Sequence, residues 1–275
     1  MEPTVVLTQE QIDFYHYEGY LSVPALTTTE EVARLRAIYD DLFRRRVGRE
    51  EGNQFDLGGT DEENKEPVLP QILGPSRYAP ALNDTLLRVN ALAIATQLLG
   101  PTTKFSGDHA ILKPAKIGAA TPWHQDEAYW GEDVDHEAIS IWIPLQPATM
   151  LNGCMQFIPR SQLLEVQPHH TIGHDPRVHG LEMDHLPDLG QAVACPLPAG
   201  GATIHHARTM HYTGPNKSDA PRRAYILTYS TEARQRATPR NHSWNRTKDT
   251  PREQRARQAR QAAAKDAGGA APPTT

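Results

Sequence analysis

One short segment of the chain, Trp123 to Trp130 with the sequence WHQDEAYW, carries a histidine and an aspartate two positions apart. In an extended chain, residues i and i+2 point to the same side, so the imidazole of His124 and the carboxylate of Asp126 could converge on one metal ion. The same two residues could equally be a solvated polar pair near the end of an edge strand. A metal site therefore requires a further ligand from elsewhere in the chain.

A mononuclear non-heme iron site uses two imidazoles and one carboxylate on one face of the ion, which leaves three positions for a co-substrate and oxygen. His124 and Asp126 supply two of these ligands. The later segment LPAGGATIHHARTMHYTGPN offers three candidates for the second imidazole, His205, His206 and His211. The spacing alone does not choose among them.

The segment that carries these residues has the pattern of a β protein. Beyond Pro101 the chain consists of short strand-like stretches separated by Gly, Pro and Asn, which is typical of a sandwich or barrel. In AISIWIPLQ, the alternate aliphatic residues from Ile139 to Leu145 share one face, while Ser140 and Trp142 share the other. We expect the aliphatic face to pack against helices or another sheet, and the Trp142 face to line a ligand pocket.

The first hundred residues are predicted to be mainly helical. Capping signals, a threonine followed three positions later by Gln or Glu, open helices at Thr8 and at Thr28. A third helix is predicted to be capped by Asn83 or Asp84. The acidic, glycine-containing segment 50–67 is interpreted as a mobile loop. These elements predict a helical layer packed on an all-β core.

The 275 residues, of which 38% are apolar, can form one sizeable globular core. No run approaches the roughly 18 apolar residues of a membrane span, and no signal-peptide pattern is found, so we expect a cytoplasmic protein without a membrane partner. The net charge of −5 argues against a general nucleic-acid binder, and no specific nucleic-acid partner is expected. With only Cys154 and Cys195, a disulfide framework is not expected, although a single bridge stays open.

The composition changes at about residue 233. Residues 233–275 are rich in Arg, Ala, Pro and Thr and contain few residues that could build a core. We therefore predict one folded domain over residues 1–232, with helices of segment 8–100 packed on a β-core of residues 105–231, followed by a basic, disordered tail. The alternative for the tail is a solvated helix that contacts nucleic acid or an acidic partner.

Taken together, the motifs resemble the phytanoyl-CoA dioxygenase family of Fe(II)- and 2-oxoglutarate-dependent oxygenases. The matching pieces are WHQDEAYW, IWIPLQPATMLNGCMQFIPRS and AGGATIHHARTMHYTGPNKSDAPRRA, which occur in the family order. The resemblance implies a mainly β fold with flanking helices, the double-stranded β-helix that is also called a jelly roll or cupin-like fold. It also implies iron, 2-oxoglutarate and O2 as cofactor and co-substrates.

The resemblance further implies which histidine completes the metal site. In the family pattern the distal histidine precedes a Gly-Pro-Asn turn, which selects His211 as the partner of His124 and Asp126. His205 and His206, on the strand that leads to this turn, are then interpreted as packing or pocket-edge residues.

The co-substrate arginine of the family falls on Arg222, whose forked guanidinium can bind a carboxylate through two parallel hydrogen bonds. Arg223 is expected to point to the opposite face and to be solvated. The other cofactor-binding positions implied by the family pattern are Trp142, Thr213, His109, Lys113 and Gln71.

The function implied by the resemblance is a dioxygenase that hydroxylates, desaturates or cyclises a small-molecule metabolite, for instance in natural-product biosynthesis, with release of succinate and CO2. Asp126 favours these outcomes over halogenation, because related halogenases replace this carboxylate by a small residue. The alternative is a cupin-like metal-binding protein without oxygenase turnover, which would not need Arg222. The protein is expected to be a monomer or a homodimer.

Five histidines lie in the insert QPHHTIGHDPRVHGLEMDH, at positions 169, 170, 174, 179 and 185. They could form a second metal site, but their spacing is irregular and the segment is polar. A lid or a substrate-contacting loop is the favoured interpretation.

Overall fold

Two facing antiparallel β-sheets form the centre of the molecule, and helices cover the outer face of the larger sheet. This architecture is taken from a computed structural model that describes residues 1–268. Residues 269–275, the end of the predicted tail, lie outside the described residues.

Within residues 1–268 the regular elements are six α-helices, five short 3₁₀ helices and fifteen strands. The helices are α1 Gln9–Glu18, α2 Thr29–Arg44, α3 Pro75–Tyr78, α4 Leu86–Leu99, α5 Ser243–Arg246 and α6 Pro251–Gly268. The first eight strands are β1 Tyr20–Val23, β2 Gln54–Asp56, β3 Pro70–Leu73, β4 Lys104–Lys113, β5 Thr121–His124, β6 Val134–Asp135, β7 Ala138–Pro144 and β8 Met155–Phe157. The other seven are β9 His169–Thr171, β10 Leu181–Met183, β11 Val193–Cys195, β12 Ala202–His206, β13 His211–Thr213, β14 Arg222–Ser230 and β15 Arg234–Gln235.

The larger sheet has seven strands in the order β1-β12-β7-β14-β4-β3-β2, and the smaller sheet has four in the order β11-β8-β13-β5. Side chains of both sheets, among them Trp142 of β7 and His211 of β13, line the same inner cavity. The two sheets therefore face each other as in the predicted jelly roll.

The alternation in β7 separates a packing face from a cavity face, as its sequence predicts. The aliphatic residues from Ile139 to Leu145 are buried in one cluster with Leu35 of α2 and Ile94 of α4. Ser140 and Trp142 point to the cavity between the sheets. Burial of each large aliphatic side chain stabilises the fold by about 1.5–3 kcal/mol, so this helical layer holds the larger sheet in place.

The helix starts predicted at Thr8 and Thr28 are confirmed, since both residues cap their helices through side-chain hydrogen bonds. The cap predicted at Asn83 or Asp84 is wrong. The N-cap of α4 is Thr85, whose hydroxyl accepts a hydrogen bond from the Arg88 amide at 3.2 Å. Thr85 has the extended backbone that an N-cap requires, whereas Asn83 has helical dihedral angles at the end of the preceding turn.

The predicted division into a helical segment 8–100 and a β-core 105–231 differs from the structure, because three early strands belong to the larger sheet. Strand β1 pairs with β12 at one edge, and β2 and β3 extend the other edge beyond β4. The segment 50–67, interpreted as a loop, contains β2. Phe55 is buried there, and the Asp56 carboxylate accepts hydrogen bonds from three backbone amides, which closes the segment on itself.

The expectation of a disordered tail also differs from the structure over residues 233–268. Strand β15 pairs with β6, and α5 and α6 follow. Trp244 is buried, and its indole donates to the Ala128 carbonyl at 2.9 Å. A few buried side chains such as Trp244 attach this segment to the rest of the fold. The segment has no periodic apolar face, which is the pattern that sequence analysis detects.

No helix within residues 1–268 has both the length and the apolar character needed to cross a membrane. Cys154 and Cys195 are buried as free thiols.

Candidate metal centre and co-substrate cavity

Antiparallel pairing in the smaller sheet brings the predicted ligand set together. His124 is the last residue of β5 and His211 the first of β13, and the register places these two residues directly opposite each other. Asp126 lies in the turn that follows β5. One nitrogen of each histidine and one oxygen of the aspartate all lie within 4.8 Å of one another.

Backbone carbonyls orient both imidazoles. Nδ1 of His124 lies 2.7 Å from the Pro122 carbonyl oxygen, and Nδ1 of His211 lies 2.8 Å from that of Thr209. A carbonyl can only accept a hydrogen bond, so Nδ1 of each ring is the donor and Nε2 keeps its lone pair. The Nε2 atoms point towards Asp126 Oδ1, at 3.6 Å from His124 and 3.4 Å from His211.

The environment favours the protonation states that metal binding needs. Burial and the neighbouring His211 lower the pKa of His124 below its ordinary value. Burial alone would raise the pKa of Asp126, but the positive charge of the surrounding imidazoles in their protonated form, chiefly His211, outweighs this effect and holds it well below its usual range. A neutral imidazole and an ionised carboxylate are the forms that coordinate a metal ion.

The inner cavity, with a volume of about 50 Å³, extends from these residues to Arg222 on the larger sheet. Arg222 is 1% exposed, and its Nε and Nη1 atoms have no hydrogen-bond partner among the described residues. Burial lowers its pKa to about 10, so the guanidinium is still charged at neutral pH. A buried cation with free donors needs an anion to satisfy it. The distal carboxylate of 2-oxoglutarate fits this requirement.

Three of the other predicted cofactor residues, Trp142, Thr213 and His109, line the inner cavity. The Arg222 guanidinium lies 5.3 Å from the centre of the Trp142 ring. The Thr213 hydroxyl donates to the Thr121 hydroxyl at 3.0 Å. Burial lowers the pKa of His109, which favours a neutral ring.

Lys113 does not have the predicted place in the cavity. Its ammonium group donates to the carbonyl oxygens of Ala119, Thr213 and Gly214 at 2.7, 3.1 and 2.7 Å. These three bonds use all the donors of a lysine, so Lys113 joins neighbouring turns and has no free donor for a co-substrate.

Arg223 and His206 lie outside the cavity. Arg223 was expected to be solvated, but its guanidinium binds both carboxylate oxygens of Asp40 on α2. Nδ1 of His206 accepts a hydrogen bond from the Arg208 amide at 3.0 Å, and its Nε2 lies 3.9 Å from a carboxylate oxygen of Glu137.

An outer cavity of about 390 Å³ adjoins the metal centre and shares His109, His124 and Asp126 with the inner one. Gln71 lines this outer cavity and not the inner one. Tyr129 and Trp130 also line this cavity, and sequence analysis did not assign them. A cavity of this size, with aromatic walls and a few polar groups, is suited to a small molecule.

The histidine-rich insert forms the β9–β10 hairpin beside this cavity. His179 lines the cavity, which agrees with a substrate-contacting role for the insert. His169 is buried and accepts from the Gln125 amide, whereas His170 binds the carboxylates of Asp184 and Glu182. Among the described side chains, only His124, Asp126 and His211 converge as a metal-ligand group, so the insert does not form the second metal site that was considered.

Two residues at the centre were not recognised as partners of the metal ligands. The Ser140 hydroxyl donates to Asp126 Oδ2 at 2.6 Å, and His205 Nε2 lies 3.4 Å from the same oxygen. The parity of β7 places Ser140 on the cavity face with Trp142, which is a signal that could have indicated its role. The hydrogen bond from Ser140 to Asp126 joins β7 of the larger sheet to the turn after β5 of the smaller sheet. No local sequence pattern indicates a contact between such distant segments.

A jelly roll that carries two histidines and a carboxylate at one end of a cavity, and a buried arginine at the other, has the parts of a mononuclear metal-dependent oxygenase. A sequence model of the family described as phytanoyl-CoA dioxygenase (PhyH) matches residues 15–224. The chain belongs to the phytanoyl-CoA dioxygenase family. The predicted family, fold and enzyme class, a dioxygenase, are therefore confirmed.

Individual relatives agree with this assignment. Phytanoyl-CoA dioxygenase domain-containing protein 1 of Danio rerio is 30% identical over 81% of this chain and 89% of the relative. The structure of EvdO2 from Micromonospora carbonacea var. aurantiaca, solved in complex with 2-oxoglutarate, is 36% identical with a TM-score of 0.76, covering 89% of this chain and 99% of EvdO2. The non-heme alpha ketoglutarate dependent carbocyclase SnoK from nogalamycin biosynthesis is 25% identical with a TM-score of 0.68, covering 86% and 90% of the two chains.

Proposed function

We propose that His124, Asp126 and His211 bind iron in this dioxygenase and that Arg222 binds the distal carboxylate of 2-oxoglutarate. The observation that carries this proposal is the buried guanidinium of Arg222, which has two free donors and lines the same cavity as the ligand set. A protein that only binds a metal has no need for such a cation. The relatives solved with 2-oxoglutarate, or named for their dependence on it, support the same co-substrate.

Bound iron and 2-oxoglutarate supply the oxidising chemistry, in which O2 is consumed, a C–H bond of the substrate is oxidised, and succinate and CO2 are released. The residues of the chain bind and orient the reactants. His124 and His211 present Nε2 lone pairs, Asp126 contributes a negative charge, and Arg222 fixes the far end of the co-substrate through charge-assisted hydrogen bonds. The apolar wall around Trp142 and Ile226 limits the access of water to the inner cavity.

The substrate in this proposal is a small-molecule metabolite of the natural-product type. The outer cavity of about 390 Å³ next to the ligand set supports a small substrate, and the relation to a carbocyclase of nogalamycin biosynthesis supports the metabolic setting. With Asp126 in place, the proposed outcome is hydroxylation, desaturation or cyclisation. A cytoplasmic location, a monomeric or homodimeric state and the absence of a nucleic-acid partner are part of the same proposal and rest on composition.

The proposal is tested by adding 2-oxoglutarate to the Fe(II) protein without oxygen and following the weak visible absorption band of the chelated 2-oxo acid. Arg222→Leu should need at least about ten times more 2-oxoglutarate, because each hydrogen bond to a charged group contributes roughly 1.5–3 kcal/mol and about 1.4 kcal/mol corresponds to a tenfold change in affinity.

Arg223→Leu is the matched control, since it removes the neighbouring arginine, which binds Asp40 outside the cavity. Its affinity for 2-oxoglutarate should equal that of the wild type. If the wild type forms no band, the proposed binding of 2-oxoglutarate is wrong. If the band forms and neither arginine affects it, the assignment of Arg222 is wrong.

A further inference from the structure

His205 is a buried imidazole whose polar atoms are not satisfied. It is 2% exposed, and neither ring nitrogen makes a hydrogen bond of regular geometry among the described residues, although Nε2 lies 3.4 Å from a carboxylate oxygen of Asp126. The ring lines the inner cavity, with its centre 4.3 Å from that of His211. Buried polar groups without partners are rare because they are costly, so an imidazole in this position requires an explanation.

The register of the larger sheet places His205 beside a second polar side chain. Strands β12 and β7 pair so that His205 stands directly opposite Ser140. Both side chains face Asp126 at the end of the smaller sheet: the Ser140 hydroxyl donates to Oδ2 at 2.6 Å, and His205 Nε2 lies 3.4 Å from the same atom.

The two oxygens of Asp126 therefore have different surroundings. Oδ1 faces the Nε2 atoms of His124 and His211, at 3.6 and 3.4 Å, and is the oxygen that can share a metal ion with them. Oδ2 faces Ser140 and His205 on the opposite sheet. A carboxylate can bind a metal ion through one oxygen or through both, and the second mode occupies one more coordination position.

We infer that His205 and Ser140 are positioning residues that hold Oδ2 of Asp126 and so keep this carboxylate a one-oxygen ligand. A facial set of three protein atoms leaves three positions on the metal, which two-point binding of 2-oxoglutarate and one oxygen molecule fill completely. A second carboxylate oxygen on the metal would compete for one of these positions. The inference rests on the proposed assignment of Asp126 as a ligand and of 2-oxoglutarate as the co-substrate.

The test compares His205→Phe, which keeps a ring without nitrogen atoms, with His205→Gln, which restores a donor, and with Ser140→Ala. His206→Phe is the matched control, because it makes the same change on the neighbouring residue outside the cavity. For each variant, Fe(II) affinity and 2-oxoglutarate affinity are measured separately without oxygen, the second from the visible absorption band. Thermal unfolding is recorded to show that each variant is folded.

His205→Phe and Ser140→Ala should retain Fe(II) but bind 2-oxoglutarate about tenfold more weakly, which corresponds to about 1.4 kcal/mol. His205→Gln should recover most of this loss, and His206→Phe should match the wild type. Ser140→Ala removes a single oxygen atom, so it tests the inference even if the larger change at position 205 prevents folding.

Unchanged 2-oxoglutarate affinity in both His205→Phe and Ser140→Ala would overturn the inference. The proposed function would still stand in that case, provided that the wild type forms the absorption band. Loss of Fe(II) from His205→Phe, as severe as that from His211→Ala, would also overturn it, because His205 would then be a metal ligand itself. A wild type without any band contradicts the proposed function, and the inference that depends on it falls as well.

Discussion

Each imidazole of the metal centre is held by one backbone carbonyl, and this single contact decides which nitrogen is available. The carbonyls of Pro122 and Thr209 take the Nδ1 protons of His124 and His211, so both Nε2 atoms point to the same space. A hydrogen bond from the ring nitrogen that does not bind the metal is common for histidine ligands, and it raises their affinity for the metal. These two contacts support the assignment of His124 and His211, with Nε2 as the ligand atom of each.

The first prediction concerns the ligand set itself. His124→Ala, Asp126→Ala and His211→Ala should each abolish product formation and reduce the iron content of the purified protein, because each removes one of only three protein ligands. His206→Ala should keep its iron, since this ring lies outside the cavity and binds the Arg208 amide. Iron content and turnover should be measured on the same samples, and full activity of His211→Ala would refute the assignment.

The sequence identifies a residue's role where the role depends on spacing, and fails where it depends on contacts between distant segments. The two-residue spacing of His124 and Asp126 places both next to one strand end, and the family resemblance selects His211. Lys113 was assigned to the cofactor site because its position on the strand matches the family pattern. Its actual partners are backbone carbonyls of other turns, which no side-chain pattern records.

At the level of elements, the alternation of residue types predicts which face of a strand is buried. The sequence predicts the first and last residues of an element less well. The two faces of β7 follow from its sequence, because a strand with one aliphatic and one mixed face can be buried in only one orientation. The start of α4 was misplaced by one or two residues, since Asn83, Asp84 and Thr85 are all good caps and only the backbone conformation distinguishes them. The early strands β2 and β3, of three and four residues, are too short to show a clear period.

The second prediction tests the observed cap of α4. Thr85→Ala should lower the free energy of unfolding by about 1 kcal/mol, because the Arg88 amide loses its hydrogen-bond acceptor at the start of the helix. Asn83→Ala and Asp84→Ala are matched controls and should have much smaller effects. Urea unfolding monitored by circular dichroism would measure all three variants, and an equal loss in Asp84→Ala would support the cap predicted from sequence.

At the scale of the whole molecule, residues 234–268 contact the part of the chain that carries the site. Arg240 pairs with Glu127 and Asp135, Trp244 is buried against the turn after β5, and Arg255 binds Asp61 near β2. A composition rich in Arg and Ala predicted disorder. That prediction assumes that a segment can join the folded domain only through apolar contacts. Here charged side chains with buried partners do the anchoring, so we propose that the oxygenase domain extends beyond residue 232.

The last prediction tests this anchoring at Glu127, the residue that follows Asp126. Glu127 is fully buried, and its carboxylate lies 3.1 Å from Arg240 Nη1 and 3.1 Å from the His136 amide. Arg240→Met should lower the free energy of unfolding by about 3 kcal/mol, at the lower end of the range for a broken buried ion pair, because Arg208 Nε stays within 3.6 Å of the same carboxylate.

Arg246→Met is the matched control on the same segment, since it breaks an exposed pair with Glu132 and should change stability little. Truncation after residue 239 should destabilise the protein at least as much as Arg240→Met, because it removes both the cation beside Glu127 and the buried indole of Trp244. Guanidinium unfolding and melting temperature measure all three proteins. Wild-type stability of the truncated chain would show that the segment is a separate tail, as its composition suggests, and that Glu127 is stabilised without it.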